Sequence, residues 1–259
     1  MFECITFEND QGAYTITLNR PDKLNSFNRQ MHTEMQQALN TVEGDINARV
    51  LLISAAGKGF CAGQDLADDA VTPGGDLGEV IGNFYNPLIL RITRLPLPVI
   101  AKVQGVAAGA GANLALACDL VFAGTSASFI QAFSGIGLVP DSGGTWQLPR
   151  LVGMAKALGL TLLGDRVKAE AAVDMGMIWK CVPDDELDQL VSDTVARLQR
   201  APTLGLARTK QAIRGATNAT LEKQLAVECE YQRELGRSAD YAEGIAAFGE
   251  KRKPNFVGR

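Results

Sequence analysis

The chain has 259 residues, of which 46% are hydrophobic and 21% are charged, and its 25 basic and 29 acidic side chains leave a net charge of -4. This length is enough to bury a sizeable core, and the acidic balance argues against a general binder of nucleic acid or anionic membranes. The single histidine, His32, excludes a metal site built from several histidines. If the chain is an enzyme, we therefore expect carboxylates and backbone amides to carry its chemistry.

The cysteines and the N-terminus indicate a cellular compartment. The 5 cysteines are dispersed and form no C-x-x-C pair, which is typical of reduced thiols rather than of disulfides or a zinc site. The first residues lack the basic segment and apolar run of a secretory signal, and no apolar run is long enough to span a bilayer. We therefore expect a cytoplasmic protein.

Short apolar runs alternate with helical patterns in the first half of the chain. Met31, Met35 and Leu39 recur at helical spacing and predict a helix over about 28–43. The segment 112–118 is apolar all round and predicts a short buried helix. Two of the apolar runs contain almost no polar residue, as in strands buried on both faces. The predicted strands are 13–18, 50–54, 98–103 and 120–123.

From residue 143 onward the pattern is almost entirely helical. A Gly- and Asp-rich stretch at 68–82 precedes this part and predicts a mobile loop. Strands alternating with helices and followed by a helical tail indicate an α/β core with a C-terminal helical region, which we place at 1–195 and 196–259. The predicted C-terminal elements are helices 143–163, 168–176, 184–200, 203–216 and 220–248, with one strand at 178–182.

Three glycine-rich junctions follow predicted strands, at 57–66, 105–113 and 135–144. Glycine lets a backbone turn sharply and approach a ligand closely, and free amides at the start of a helix can hold a developing negative charge. Simple turn chemistry explains each junction as well. Residues 109–111 lack the third glycine of a dinucleotide-binding motif, and no P-loop occurs. By spacing alone, Asp141 fits the N-cap of the following helix.

Five motifs that occur in order along the chain resemble the crotonase, or enoyl-CoA hydratase/isomerase, superfamily. The resemblance implies the α/β fold of that family, a ClpP-like spiral of ββα units with a C-terminal helical trimerisation region. It also implies an acyl-CoA ligand, no metal and no cofactor beyond the substrate's coenzyme A, and assembly as a homotrimer or a dimer of trimers. The motifs are Asn19–Ser26, Phe60–Leu66, Pro98–Gly111, Pro140–Thr145 and Phe248–Phe256.

The same resemblance implies an oxyanion hole made of two backbone amides. Matched by motif, these are the N–H groups of Gln64 and Ala110, which would hold the thioester oxygen as it gains charge. Losing one such donor typically lowers the rate by about 10² to 10³. The residues implied to bind coenzyme A are Lys23, Ala62, Asp65 and Leu66.

Hydratases of this family use two glutamates to activate water, and this chain carries neither. The matching positions are Asn113 and Phe133. Adding water to a double bond needs a base and an acid placed on that water, so we expect no efficient hydration. Asp141 stands where family members that carry an acid tend to be isomerases or dehalogenases. We therefore predict that Asp141 is the catalytic acid–base.

A narrower set of motifs resembles the isomerases of phenylacetate degradation, most clearly at 59–66, 84–88 and 140–146. This resemblance implies conversion of ring-1,2-epoxyphenylacetyl-CoA to 2-oxepin-2(3H)-ylideneacetyl-CoA by a 1,3-proton shift. The expected role of Asp141 is to take the α-proton and return it to a ring carbon. Five side chains are candidates for the acyl or aryl pocket, although the aromatic ones suit a plain core equally. They are Phe84, Tyr85, Asn113, Phe133 and Trp146.

Two alternatives remain open on the sequence. A Δ3,Δ2-enoyl-CoA isomerase of fatty-acid oxidation would use the same residues, and only resemblance separates the two substrates. Some crotonase relatives bind RNA without catalysis, an alternative that the acidic charge disfavours. We therefore expect neither nucleic acid nor a membrane among the partners.

Overall fold

A computed structural model describes residues 2–259, apart from the side chain of Ala70. Within this range the structure has nine strands and eleven α-helices. Strands and helices alternate up to β9, and the last four helices follow it. The strands are β1 (Ile5–Asp10), β2 (Ala13–Leu18), β3 (Val50–Ala55), β4 (Val99–Val103), β5 (Val106–Ala108), β6 (Leu120–Gly124), β7 (Ser128–Ile130), β8 (Arg166–Lys168) and β9 (Lys180–Val182).

The helices differ widely in length, from 4 residues in α2 to 16 in α1. A π-helix, Ile81–Tyr85, joins α2 directly to α3. The α-helices are α1 (Arg29–Gly44), α2 (Leu77–Val80), α3 (Asn86–Arg94), α4 (Ala110–Ala117), α5 (Gly144–Val152), α6 (Met154–Leu163), α7 (Ala169–Asp174), α8 (Leu187–Gln199), α9 (Thr203–Ala216), α10 (Leu221–Leu235) and α11 (Ala239–Glu250).

The strands form two sheets. The larger has the order β1-β2-β3-β4-β6-β9 and is parallel apart from the β1–β2 hairpin. The smaller has the order β5-β7-β8 and contains one parallel and one antiparallel pair. Parallel neighbours need crossover connections, which the helices supply. This arrangement confirms the predicted α/β class.

The central strands are apolar throughout because both faces of the larger sheet are covered. Leu51 and Ile53 of β3 point into the main core, which includes the buried side of α1. Val50, on the opposite face, packs with Leu187 and Val191 of α8. Alternate side chains of one strand therefore enter two different cores, which is the reason for its unbroken apolar sequence.

Most of the predicted elements in the first half are confirmed, with bounds that shift by one or two residues. The strands predicted at 13–18, 50–54, 98–103 and 120–123 are β2, β3, β4 and β6. The sequence patterns did not predict β1, β5, β7, β8 or α3. Three of these strands have only 3 residues, and their hydrogen bonds come from partners distant in the sequence.

Two long helices predicted near the C-terminus are wrong, because each is broken in two. The predicted helix 143–163 is interrupted at Gly153, which has a φ of 78° that a continuous helix does not allow. The predicted helix 220–248 is interrupted between α10 and α11, where the side chain of Ser238 accepts a hydrogen bond from Tyr241 N and caps the new helix. Each break turns the chain, so the C-terminal region has shorter, separately oriented helices.

The boundary predicted after residue 195 falls inside α8, whose first turns pack on the larger sheet. The division into 1–195 and 196–259 stays a prediction. The segment predicted as a loop at 68–82 contains a 3-10 helix, Asp69–Val71, and the helix α2. In residues 2–259, no helix combines the length and the hydropathy that crossing a membrane requires.

Candidate active site

A cavity of about 470 Å³, a volume in the range of small-molecule sites, lies beside two of the glycine-rich junctions. Four parts of the chain line it, at 62–66, 71–85, 109–110 and 132–141. Most of its lining is apolar, and Asp141 is the one acidic side chain among the described lining residues. The cavity therefore brings together two of the glycine-rich junctions and the predicted catalytic carboxylate.

The backbone amides of Gln64 and Ala110 come together because the chain segment before Gln64 pairs with β5. Ala108 N donates to Cys61 O at 2.9 Å, and a parallel bridge joins Cys61 to Ala107. Ala110 is the first residue of α4, so its N–H has no partner inside the helix. In residues 2–259, neither the Gln64 N–H nor the Ala110 N–H donates to a protein acceptor. Both are therefore free to bind a ligand oxygen.

Each of these two amides directly follows a position that requires glycine. Gly63 has a φ of 93°, and a Cβ atom there would lie 3.1 Å from Ala108 O and 3.4 Å from Ala110 N. Gly109 has a φ of 53° and a ψ of -127°, a conformation that side chains disfavour. The glycines of the two junctions thus have a specific structural purpose, beyond simple turn chemistry.

Asp141 lies on a tight turn between the cavity and α5. The turn holds two consecutive residues in the left-handed region, Ser142 with a φ of 51° and Gly143 with a φ of 79°. Such strain at a non-glycine residue is concentrated at functional sites. The buried Ser142 hydroxyl donates to Asp141 Oδ1 at 2.9 Å. The N-cap alternative is wrong, since α5 is capped by Gly143 without any side-chain hydrogen bond.

The environment of Asp141 favours its protonated form. Burial raises the pKa of the Asp141 carboxyl above its ordinary value of 3.8, and the hydrogen bond from Ser142 offsets only part of that rise. A carboxyl group with a raised pKa is a stronger base when ionised and a better match for proton transfer near neutral pH. The role of Asp141 as a general acid–base stays a prediction, with which this raised pKa is compatible.

Asn113 and Phe133, which match the glutamates of hydratases, have other tasks in this chain. Asn113 is fully buried, and its Nδ2 donates to the main-chain oxygen of Asp141 at 2.8 Å. Its Oδ1 accepts from Gln131 Nε2 at 2.9 Å. Phe133 lines the cavity, 3.7 Å from the place where a Cβ of Gly109 would lie. Asn113 thus supports the turn from behind, whereas Phe133 forms an apolar wall.

The three remaining candidates for the acyl pocket lie in three different surroundings, and only one of them lines the cavity. Tyr85 lines the cavity, and its hydroxyl donates to Gln64 Oε1 at 2.9 Å. Phe84 does not line it; its ring packs on His32 and lies under the Arg29 guanidinium. Trp146 lies outside it, half exposed beneath the guanidinium of Arg150 and beside a second groove between α5 and α9. Asn113, as described above, is behind the cavity.

Of the residues expected to bind coenzyme A, Ala62 and Leu66 line the cavity and Leu66 is 68% exposed. Lys23 is exposed at the end of a short 3-10 helix, Pro21–Lys23. The Asp65 carboxylate forms an ion pair with Arg20 at 2.9 Å. This ion pair ties the segment that carries Lys23 to the segment that carries Gln64.

One segment that lines the cavity was not predicted as part of the site. Val71, Pro73, Leu77, Val80 and Ile81 all line it. They belong to the stretch predicted as a mobile loop. The glycine and aspartate residues between them obscure the apolar pattern in the sequence. The spacing of Leu77, Val80 and Ile81, at i, i+3 and i+4, is the one signal that could have indicated a buried helical face.

Two free amides beside an apolar cavity, in an α/β fold of two sheets, are the arrangement that the sequence motifs implied for the crotonase class of enzymes. The chain belongs to the enoyl-CoA hydratase/isomerase family, whose sequence profile matches residues 8–259. The 1,2-epoxyphenylacetyl-CoA isomerase of Escherichia coli K12 is 52% identical to it over the full length of both chains. A probable enoyl-CoA hydratase of Rhodobacter capsulatus is 46% identical and covers 100% of this chain and 99% of its own.

Solved structures agree with this assignment. A putative enoyl-CoA hydratase/isomerase from Mycobacterium abscessus superposes with a TM-score of 0.93 at 36% sequence identity. The superposition covers 98% of this chain and 100% of the other. The crotonase fold implied by the sequence motifs is therefore confirmed.

Proposed function

We propose that the chain is an isomerase that converts ring-1,2-epoxyphenylacetyl-CoA to 2-oxepin-2(3H)-ylideneacetyl-CoA in phenylacetate degradation. The observation that carries the proposal is the position of Asp141, the one acid among the described lining residues, in the same cavity as the free amides of Gln64 and Ala110. The 52% identity to an isomerase named for this substrate supports it.

The epoxide is in valence equilibrium with its oxepin, in which the bond between the two epoxide carbons has opened to give a seven-membered ring. The proposed reaction is a 1,3-proton shift on this oxepin, which one carboxylate carries out. Ionised Asp141 takes the α-proton of the thioester, and the C–H electron pair moves into the carbonyl to form an enolate. The N–H groups of Gln64 and Ala110 donate to the enolate oxygen, which carries most of the new charge. Asp141 then returns the proton to a ring carbon, and the carboxylate is regenerated. Atoms balance without a metal or any cofactor other than the coenzyme A of the substrate.

The surroundings of Asp141 favour proton transfer over hydration. A hydratase needs a second ionisable group to hold water, and at the two matching positions this chain has a buried amide, Asn113, and an apolar ring, Phe133. The apolar wall also keeps water from the enolate. One base in an apolar cavity is suited to removing and returning the same proton.

Replacement of Asp141 by Asn tests this role. The turnover of the epoxide thioester, followed by NMR because substrate and product have equal mass, should fall by about 10² to 10⁴. The melting temperature should not fall, since the Asn side chain keeps an oxygen that can accept from Ser142. Asp165, an exposed residue, provides the matched control: Asp165→Asn should behave as the wild type. Near-normal turnover by Asp141→Asn would refute the proposal.

A second candidate function is a Δ3,Δ2-enoyl-CoA isomerase, because moving a double bond from Δ3 to Δ2 is the same proton shift. The apolar lining of the cavity is compatible with an aliphatic chain. A trans-2-decenoyl-[acyl-carrier-protein] isomerase of Streptococcus mutans, 33% identical over the whole chain, supports this alternative. Comparing kcat/KM for the epoxide with that for 3-hexenoyl-CoA decides between the two.

We also propose that the chain assembles in the cytoplasm as a homotrimer or a dimer of trimers. Large apolar side chains of α6 and α11 are exposed in the single chain, among them Leu162 at 70%, Leu163 at 72% and Phe248 at 87%. Exposed apolar surface of this kind marks a subunit interface. Light scattering should give three or six times the chain mass of 27.6 kDa, and a monomer would contradict the proposal.

A further inference from the structure

The cavity contains few polar side chains, and one pair of them has no role in the proton shift. Among the described lining residues, the side chains with polar atoms are those of Gln64, Thr72, Tyr85 and Asp141. The Thr72 hydroxyl donates to the main-chain oxygen of Asp69. Asp141 is the proposed base. The hydrogen-bonded side chains of Tyr85 and Gln64 therefore remain, and we call them the Tyr85–Gln64 pair.

The position of the Tyr85 hydroxyl is fixed by the packing of its ring. Tyr85 is 3% exposed, and its ring meets His32 edge-on at 4.4 Å and Phe27 at 5.9 Å between ring centres. Burial raises the pKa of Tyr85 well above 10, so the hydroxyl keeps its proton at neutral pH and acts as a donor. That proton is directed at Gln64 Oε1, 2.9 Å away.

An irregular helix presents this tyrosine to the cavity. Tyr85 is the last residue of the π-helix Ile81–Tyr85, a wide turn that is rare and is frequently found at functional sites. Its neighbour Phe84 packs outside the cavity, on His32 and Arg29. The π-helix is an observation independent of the hydrogen bond, and it also indicates that Tyr85 has a functional role.

The hydrogen bond from Tyr85 determines the orientation of the Gln64 amide. With its oxygen held by the hydroxyl, the amide has two N–H donors, of which one reaches Asp65 O at 3.3 Å. The other N–H has no acceptor in residues 2–259. An acyl group that carries an acceptor oxygen would satisfy it. An epoxide or oxepin ring has such an oxygen, whereas a hydrocarbon ring or chain does not.

We propose that the Tyr85–Gln64 pair recognises the ring oxygen of the acyl group, with the Gln64 side-chain N–H as the donor and Tyr85 as the residue that orients it. This inference rests on the proposed function and adds the basis of its specificity. Gln64 then acts twice: its main-chain N–H holds the thioester oxygen, and its side chain selects an oxygenated ring.

Two variants and two ligands test this proposal. Gln64→Met removes the amide and keeps the main-chain N–H, and Tyr85→Phe removes only the hydroxyl that orients the amide. The substrate is the ring-epoxide thioester, and the matched ligand is phenylacetyl-CoA, which lacks the ring oxygen and is assayed as a competitive inhibitor. Because one hydrogen bond is lost, each variant should lower kcat/KM for the epoxide about 10-fold and change the Ki of phenylacetyl-CoA less than 2-fold.

The outcomes distinguish this inference from the proposed function. Equal losses for the two ligands would show that the pair only supports the local structure, and would overturn the inference. Unchanged values for both ligands would also overturn it, and both results would leave the proposed isomerase intact. A wild type that binds phenylacetyl-CoA but does not turn over the epoxide would refute the proposed function, and the ring-oxygen role would fall with it.

Discussion

Replacing His32, the chain's single histidine, should remove a pH-dependent loss of stability. His32 is 1% exposed on the core side of α1, and neither ring nitrogen has a hydrogen-bond partner among the described residues. Its neighbours are the rings of Phe27, Phe84 and Tyr85. Burial lowers the pKa of His32 from 6.5 to about 4, and the Asp68 carboxylate opposes this only weakly.

The sign of the effect follows from which state binds the proton. In the folded chain His32 stays neutral down to about pH 4, whereas in the unfolded chain it becomes protonated below 6.5. Acid therefore stabilises the unfolded state, and the free energy of unfolding falls as the pH decreases from 6.5 toward 4. For these two pKa values, the loss between pH 8 and pH 5 is about 2 kcal/mol.

The assay compares the wild type with His32→Leu by urea unfolding at pH 8 and pH 5. Protein concentration is held constant, because the stability of an oligomer depends on it. The wild type should lose about 2 kcal/mol more than the variant over this interval. Carboxylates contribute equally to both proteins and cancel in the difference. Equal losses in the two proteins would show that His32 is protonated or solvated in the folded state, against the burial described here.

Three further predictions concern the site and its support. Gly63→Ala should lower turnover by about 10², because the new methyl group would press on Ala108 O and displace an amide donor. Steady-state kinetics measure this turnover, and full activity of the variant would contradict the prediction. The kcat/KM of the wild type should fall with acid around a midpoint above 3.8, because burial raises the pKa of Asp141 and only the carboxylate is a base; a midpoint at or below 3.8 would refute this. Glu34→Ala should lower the free energy of unfolding by about 3 kcal/mol, because the carboxylate accepts from three main-chain N–H groups at residues 3–5. Urea unfolding measures that loss, and a change below about 0.5 kcal/mol would contradict the assigned role.

The elements that the sequence predicted correctly are those whose pattern is local. The unbroken apolar run of β3 and the helical spacing of Met31 and Met35 reflect burial that the element itself requires. The strand β1 was missed because it is an edge strand with the exposed polar residues Glu8, Asn9 and Asp10. Its stability comes from pairing with β2 and from the carboxylate of Glu34, contacts that no local pattern contains.

The sequence motifs predicted the main residues of the candidate site, but they did not predict the contacts between those residues. Resemblance indicated Asp141 and the amides of Gln64 and Ala110, and the structure places all three around one cavity. It gave no sign that Tyr85 bonds to Gln64, or that Trp146 lies beside a different groove. Those facts depend on the π-helix and on the exact start of α5, which are set by tertiary packing.

The absence of the hydratase glutamate at position 113 and the presence of Asp141 are structurally linked. Asn113 donates to the main-chain oxygen of Asp141, and it reaches that oxygen across Gly144, where any Cβ would overlap its amide. A glutamate at residue 113 is longer and, when ionised, has no N–H to donate, so it would leave this oxygen without its donor. The position matched to a water-holding glutamate of hydratases thus supports the turn at 140–144 in this chain. A switch between the two reactions therefore requires the turn at 140–144 to change together with residue 113, because either change alone disrupts the support of Asp141.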